Sequence, residues 1–334
     1  MSERRLDEPQ PDPSEFARVV GALRPALKLH CYRMLGSLQD SEDAVQETFV
    51  NAWAAIGEFA GRASLKAWLY RIATNVCLNL IKARNRRRRY LPEQIGSPAE
   101  GRPVAPIEPD FPWLQPYPDA EIDAVADRGP GPLARYEARE SVRLAFVAAV
   151  QRLPPRQRVA LLFVDVMGWT AAEVATVLGT SNAAVNSALQ RARETMRAHG
   201  ADRVRDSAET DDRELVDRYV RAWESRDLDG FVDLLREDAI FSMPPRLEWY
   251  VGRDTIRRFF AGIWPAYGDF RLTVTHANGG PAFGLYAAGR SHSLQVLTLS
   301  GGRIATLHAF LQPTSDALFP RFGLPATLEQ SKMT

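Results

Sequence analysis

Four carboxylates, Asp40, Glu42, Asp43 and Glu47, crowd into eight residues. Paired acids at such density can share general acid–base work. Their spacing is helical, however, and no histidine or metal-ligand partner joins them, which argues against catalysis and leaves a solvated helix face as one reading. A second group is Lys82–Arg89, a cationic run suited to tracking a polyanion backbone. A third is Asn182, Asn186, Ser187, Gln190 and Arg191, spaced along one helix. Asparagine and glutamine can pair with adenine edges and arginine with guanine, while Arg156, Arg158 and Arg193 suit phosphates. The last group is aromatic: Tyr219, Trp223, Phe241, Met243, Trp249, Tyr250, His308 and Phe310 could line an apolar pocket. A lone His308 on a strand is more often a hydrogen-bonded core residue than a base. Two cysteines, Cys31 and Cys77, cannot build a disulfide framework or a four-ligand zinc site. They read as buried thiols, and no metal or cofactor is expected.

At roughly 150 residues per domain, 334 residues imply about two domains, or three small ones. With 45% apolar and 25% charged residues the chain is neither disordered nor a low-complexity polymer. No apolar run approaches the ~20 residues of a membrane span, and the N-terminus lacks the apolar core of a signal peptide. A cytoplasmic protein with no membrane contact is expected. The net charge of +1 conceals segregation, since residues 15–89 carry 13 basic and 6 acidic side chains, but 90–138 carry 3 and 9. Residues 139–199 return to 8 basic and 4 acidic. Two basic blocks flanking an acidic one suit a polyanionic partner, although solvated helix faces would give the same counts.

Helical periodicity precedes the acidic block. Ser14 opens a helix, Asp40–Asp43 cap a second, and Ser64 caps a third that carries Leu65, Trp68, Leu69, Ile72 and Val76 on one stripe. Ten of the 23 prolines fall between Pro92 and Pro132, which predicts an extended linker in which no helix persists. Phe111, Trp113, Leu114 and Tyr117 are costly to leave in water, so part of the linker should dock on a groove. Beyond it, Thr170–Glu173 is a capping box, Gly179 suits a left-handed turn, and Ser181 caps a helix with Val185, Leu189, Ala192 and Met196 inside. That is a helix-turn-helix pattern. From residue 207 helices lead into strands at 270–276, 282–288, 292–299 and 303–311, with a hairpin at Gly301-Gly302. The fold class is thus multidomain: two all-α helical modules and an α+β C-terminal domain.

Three stretches carry a family resemblance. Asp40–Phe49, Phe59–Ser64 and Trp68–Asn75 are similar to region 2 of extracytoplasmic-function sigma factors, members of the sigma-70 family. Leu153–Val159 and the helix-turn-helix at 170–193 resemble region 4, and the tail resembles the SnoaL-like branch of the NTF2-like cone. The resemblance implies a division into region 2 (14–89), an acidic linker (90–138), region 4 (139–199) and a SnoaL-like domain (207–334). It implies an alternative sigma factor, a non-enzyme that binds core RNA polymerase at its clamp and flap surfaces and directs promoter-specific transcription initiation, with the tail modulating activity in cis. By the same resemblance Asp40, Glu42, Asp43, Gln46 and Glu47 bind polymerase. Phe59, Gly61, Arg62, Ser64, Trp68, Arg71, Asn75, Arg84, Arg86 and Arg87 hold the −10 DNA, and the 182–193 face reads the −35 element. For Trp68 a place in the core is an equal alternative, because it sits on the apolar stripe. Tyr90–Glu93 is similar to a Trp-Leu-Pro-Glu motif of the subgroup, whereas Asn278-Gly279-Gly280-Pro281 departs from its Gly-rich, Lys-containing acidic motif. A small-molecule ligand in the tail pocket fits the resemblance, and the existence of a separate anti-sigma protein is left open. The competing reading is an isomerase or cyclase tail on a DNA-binding regulator that never engages polymerase.

Overall fold

A computed structural model describes residues 13–59, 64–83, 88–100, 106–108, 110–126, 139–198, 212–267 and 269–328. The chain forms two compact units, one drawn from 1–88, 121–138 and 150–196, the other from 89–120, 139–149 and 197–334.

In the first unit α1 (Pro13–Leu35), α2 (Leu38–Ala54) and α3 (Leu65–Ala83) pack around Leu27, Cys31, Val45, Leu69, Ala73 and Cys77. Both cysteines are buried free thiols. The α2 cap is Ser37, whose Oγ accepts from the Asp40 amide at 3.2 Å; Asp40 itself lies in the first turn. Ser64 Oγ accepts from the Ala67 amide at 3.2 Å and starts α3 as its sequence predicts. The linker is not helix-free: α4 (Asp119–Ala126) occupies the proline-free interval after Pro118. A proline just before a helix costs it no hydrogen bond, so the proline-based expectation fails where prolines pause. Ile122 of α4 is buried, and Glu121 pairs with Lys28 at 2.9 Å.

Next come α5 (Leu144–Arg152) and α6 (Pro155–Leu161), a wide π turn at Leu162–Val166, α7 (Ala171–Leu178) and α8 (Asn182–Ala198). The Thr170 amide donates to Glu173 Oε2 at 2.7 Å, and the Glu173 amide returns a bond to Thr170 Oγ1 at 3.3 Å. Gly179 takes φ +58° at the α7 terminus, a conformation that a Cβ would strain. His30, Tyr70, Phe163 and Trp169 then meet edge to face, with centroids 4.6 to 6.1 Å apart, packing α1 and α3 against the region that follows α6.

The second unit is α+β. Helices α9 (Asp212–Ser225), α10 (Leu228–Asp233) and α11 (Arg253–Ile263) supply Tyr219, Trp223, Phe231 and Phe260 to one aromatic core. The sheet comprises β1 (Leu235–Ser242), β2 (Trp249–Val251), β3 (Phe270–Ala277), β4 (Gly280–Ala287), β5 (Arg290–Ser300) and β6 (Arg303–Leu311), in the order β2-β1-β6-β5-β4-β3. Strands β3 to β6 form the expected antiparallel meander. Strand β1 joins it parallel to β6, a pairing that local sequence does not encode. Gly301 and Gly302 take φ +61° and +68° in the β5–β6 turn.

The early linker docks on this unit, as its aromatics require. Trp113, Leu114 and Tyr117 are buried and Phe111 is half-buried. Trp249 Nε1 donates to the Gly96 carbonyl at 2.9 Å, and the Ala99 amide donates to the Trp249 carbonyl at 2.8 Å. The β3–β4 turn holds further backbone. The Tyr117 amide donates to Asn278 Oδ1 at 2.9 Å, Asn278 Nδ2 donates to the Val142 carbonyl at 2.5 Å, and the Gly279 amide donates to Asp119 Oδ1 at 2.8 Å.

Candidate nucleic-acid interface

Helix α8 is amphipathic. Val185, Ala188, Leu189, Ala192 and Met196 are buried, while Asn182, Asn186, Ser187, Gln190 and Arg191 are all exposed. Two intrahelical bonds order this face, Arg191 to Ser187 Oγ at 2.9 Å and Gln190 to Glu194 at 3.1 Å. An exposed row of amides and a guanidinium on the second helix of a helix-turn-helix can address base edges in a major groove.

The three arginines assigned to phosphate part company. Arg156 is exposed. Arg158 is only 3% exposed, and its guanidinium donates to the Met34 carbonyl, to Gln151 Oε1 at 2.9 Å and to the Gln151 carbonyl at 2.8 Å. It is a packing residue, and its assignment to phosphate is corrected. Desolvation, with repulsion from Arg88, brings its pKa down to about 9. Arg193 is half-exposed and forms a forked pair with Asp165 at 2.6 and 3.0 Å.

On α3, Arg71 and Asn75 are exposed, and the half-buried Trp68 packs against Phe59 with the rings tilted by 50° and centroids 5.2 Å apart. Trp68 therefore keeps both roles open to it, one face in the bundle and one at the surface. Ser64 is exposed; Gly61, Arg62, Arg84, Arg86 and Arg87 lie outside the described residues. The acids of α2 are not one free surface. Asp40 is buried, and Glu42 is half-buried between Arg24 (3.0 Å) and Lys28 (2.9 Å). Burial would raise the Glu42 pKa, but these two cations hold it below the usual value. Asp43, Gln46 and Glu47 are exposed, beside Val50 (68%) and Trp53 (55%). The 46–50–53 spacing, one outward stripe, places Trp53 outside.

The tail residues divide in the same way. Trp223, Phe241 and Met243 line a cavity of about 120 Å³. Tyr219, Tyr250 and Phe310 are core, and Trp249 is tied to the linker. His308 is no cavity base: its Nδ1 lies 2.8 Å from Ser242 Oγ and its Nε2 3.7 Å from Glu93 Oε1. Sequence reasoning missed Trp264, Tyr267, Ser293 and Gln295 on the cavity wall. Residues 293 and 295 alternate along β5, a period-two pattern that faces one side of the sheet.

Comparison with known families supplies the deciding observation. Residues 19–87 match sigma-70 region 2, 143–196 match sigma-70 region 4, and 216–310 match the SnoaL-like domain. The chain is 45% identical over 324 residues to the ECF RNA polymerase sigma factor SigG of Mycobacterium tuberculosis, covering 94% of this chain and 85% of that one. The chain is an ECF sigma factor.

It is also 31% identical to SigJ of Mycobacterium tuberculosis, over 74% of this chain and 72% of that one. The crystal structure of Mycobacterium tuberculosis SigJ superposes with a TM-score of 0.60 at 24% identity, covering 93% of this chain and 99% of that one, a likeness of fold. As an alternative sigma factor the protein binds core RNA polymerase and promoter DNA. No described helix of this sigma factor is long and apolar enough to cross a membrane.

Proposed function

We propose that this sigma factor docks on the polymerase clamp through the outer face of α2, where Asp43, Gln46 and Glu47 border the exposed Val50 and Trp53. Region 4 carries the flap contact and reads the −35 element with Asn182, Asn186, Ser187, Gln190 and Arg191. Phe59, Trp68, Arg71 and Asn75 hold the −10 strand, where stacking on aromatics is worth about 1–3 kcal/mol per base. The single observation that supports the reading best is the polar row of α8, left open to solvent while its apolar row is buried. The C-terminal unit modulates transcription in cis, through linker residues seated on it, and its cavity takes a small molecule. The cavity wall supports sensing over catalysis, since no carboxylate lines it among the described residues.

Run-off transcription with core enzyme tests the assignment. The pair Asn186→Ala and Gln190→Ala should keep polymerase binding and lose promoter selectivity by at least about tenfold. Equal selectivity, or no promoter-specific transcript from any genomic template, overturns it. Asn278→Ala, which frees the linker turn, should change transcript yield; an unchanged yield removes the cis role.

A further inference from the structure

The C-terminal cavity has walls of known chemistry, and they restrict what can enter. Its aromatic surface comes from Trp223, Phe259, Trp264 and Phe270 among others, and its volume of about 120 Å³ approaches that of cavities that hold one benzene-sized molecule. The polar groups on the wall are few. Gln295 has its Oε1 already engaged by the Tyr219 hydroxyl at 2.7 Å, so its amide has N–H left to give. Ser293 Oγ and Trp264 Nε1 are buried with no hydrogen-bond partner. Both can donate, and an unpaired buried donor is costly until an acceptor meets it. Arg246 adds positive charge. Among the described residues no aspartate or glutamate lines the space, so no carboxylate there would neutralise a cation. His292 also lines it, and burial lowers its pKa, which keeps the ring neutral near pH 7.

We infer that the cavity binds a neutral, single-ring aromatic compound carrying a carbonyl-type acceptor oxygen, with Ser293 and Trp264 as its donors. This rests on the reading that the C-terminal unit senses a small molecule. The ring meets the aromatic wall, and the oxygen relieves the unpaired donors. Arg246 and the lack of acids select against amines.

Titration calorimetry on the full chain tests this with three probes: acetophenone, toluene and benzylammonium. Acetophenone should bind saturably, toluene at least about tenfold more weakly, and benzylammonium not measurably. Ser293→Ala should weaken acetophenone by about fivefold to tenfold and leave toluene unchanged. Ala309→Leu, which fills the space, should abolish binding of both; if that variant fails to fold, the Ser293→Ala comparison decides alone. No saturable acetophenone binding by a cooperatively melting chain overturns the inference. So does toluene binding equally well, or benzylammonium binding best. Should acetophenone fail while Asn278→Ala still alters transcription, the ligand class is wrong and the cis role stands.

Discussion

Arg158 donates through its buried guanidinium to the backbone carbonyl of Met34, one of the last carbonyls of α1. Gln151 Nε2 adds a bond to the Arg33 carbonyl at 3.1 Å. The final carbonyls of a helix have no intrahelical partner and carry partial negative charge, so a cation placed there satisfies both needs. Region 4 thereby supplies the C-terminal cap of a region 2 helix.

Removing that cap should be expensive. Arg158→Ala leaves the Met34 and Gln151 carbonyls buried without a donor, and we expect about 3 kcal/mol of lost stability in urea unfolding. Arg158→Lys should lose less, because it retains charge and one bond but not the fork. Because Arg158 is not on the DNA surface, the salt dependence of promoter binding in folded Arg158→Gln, which removes the charge, should match that of the parent. A slope smaller by about 0.9 would restore the phosphate role.

Acid should loosen the same packing. His30 is buried against Tyr70 and Phe163, and burial, then Arg33, lowers its pKa from 6.5 to about 3. Unfolded chains bind the proton from pH 6.5 downward, and the folded chain does not until about pH 3. Stability therefore falls as pH drops through that window, by up to about 1.4 kcal/mol per pH unit from this group. In His30→Gln this contribution should vanish, which urea unfolding at pH 7, 6 and 5 would reveal as a shallower decline.

Arg193 is held by Asp165 in an exposed pair that contributes at most about 1 kcal/mol to stability. Asp165→Asn should leave the melting temperature nearly unchanged. It should also free one cation beside the reading helix, steepening the salt dependence of DNA binding by about 0.9. An unchanged slope in filter binding across salt would show that Arg193 does not reach phosphate.

Asn278 takes φ +54° and serves two segments at once, the Tyr117 amide and the Val142 carbonyl. Asn278→Ala should raise amide hydrogen exchange at Tyr117 by at least about tenfold. Gly279→Ala should act alike by another route. Gly279 has φ +78°, and an added Cβ would stand 3.2 Å from the Arg139 carbonyl, a strain of about 1–2 kcal/mol. Unchanged exchange in both variants would mean the turn does not hold the linker.

Local chemistry determined much of this protein from sequence alone. Caps at Ser64, Thr170 and Ser181, the left-handed Gly179 and the apolar stripe of α8 depend on neighbours within a few residues, so the helix-turn-helix and its outward polar row were legible. The meander strands were legible too, as short apolar runs bounded by turn residues such as Gly301-Gly302. Long-range packing decided the rest. Only the fold could show that Arg158 turns inward to cap α1, that Asp40 is buried, and that β1 lies parallel to β6. Burial of a charged or aromatic side chain depends on which distant backbone groups need a partner. That demand is set between segments far apart in the chain, where spacing along the sequence carries no signal.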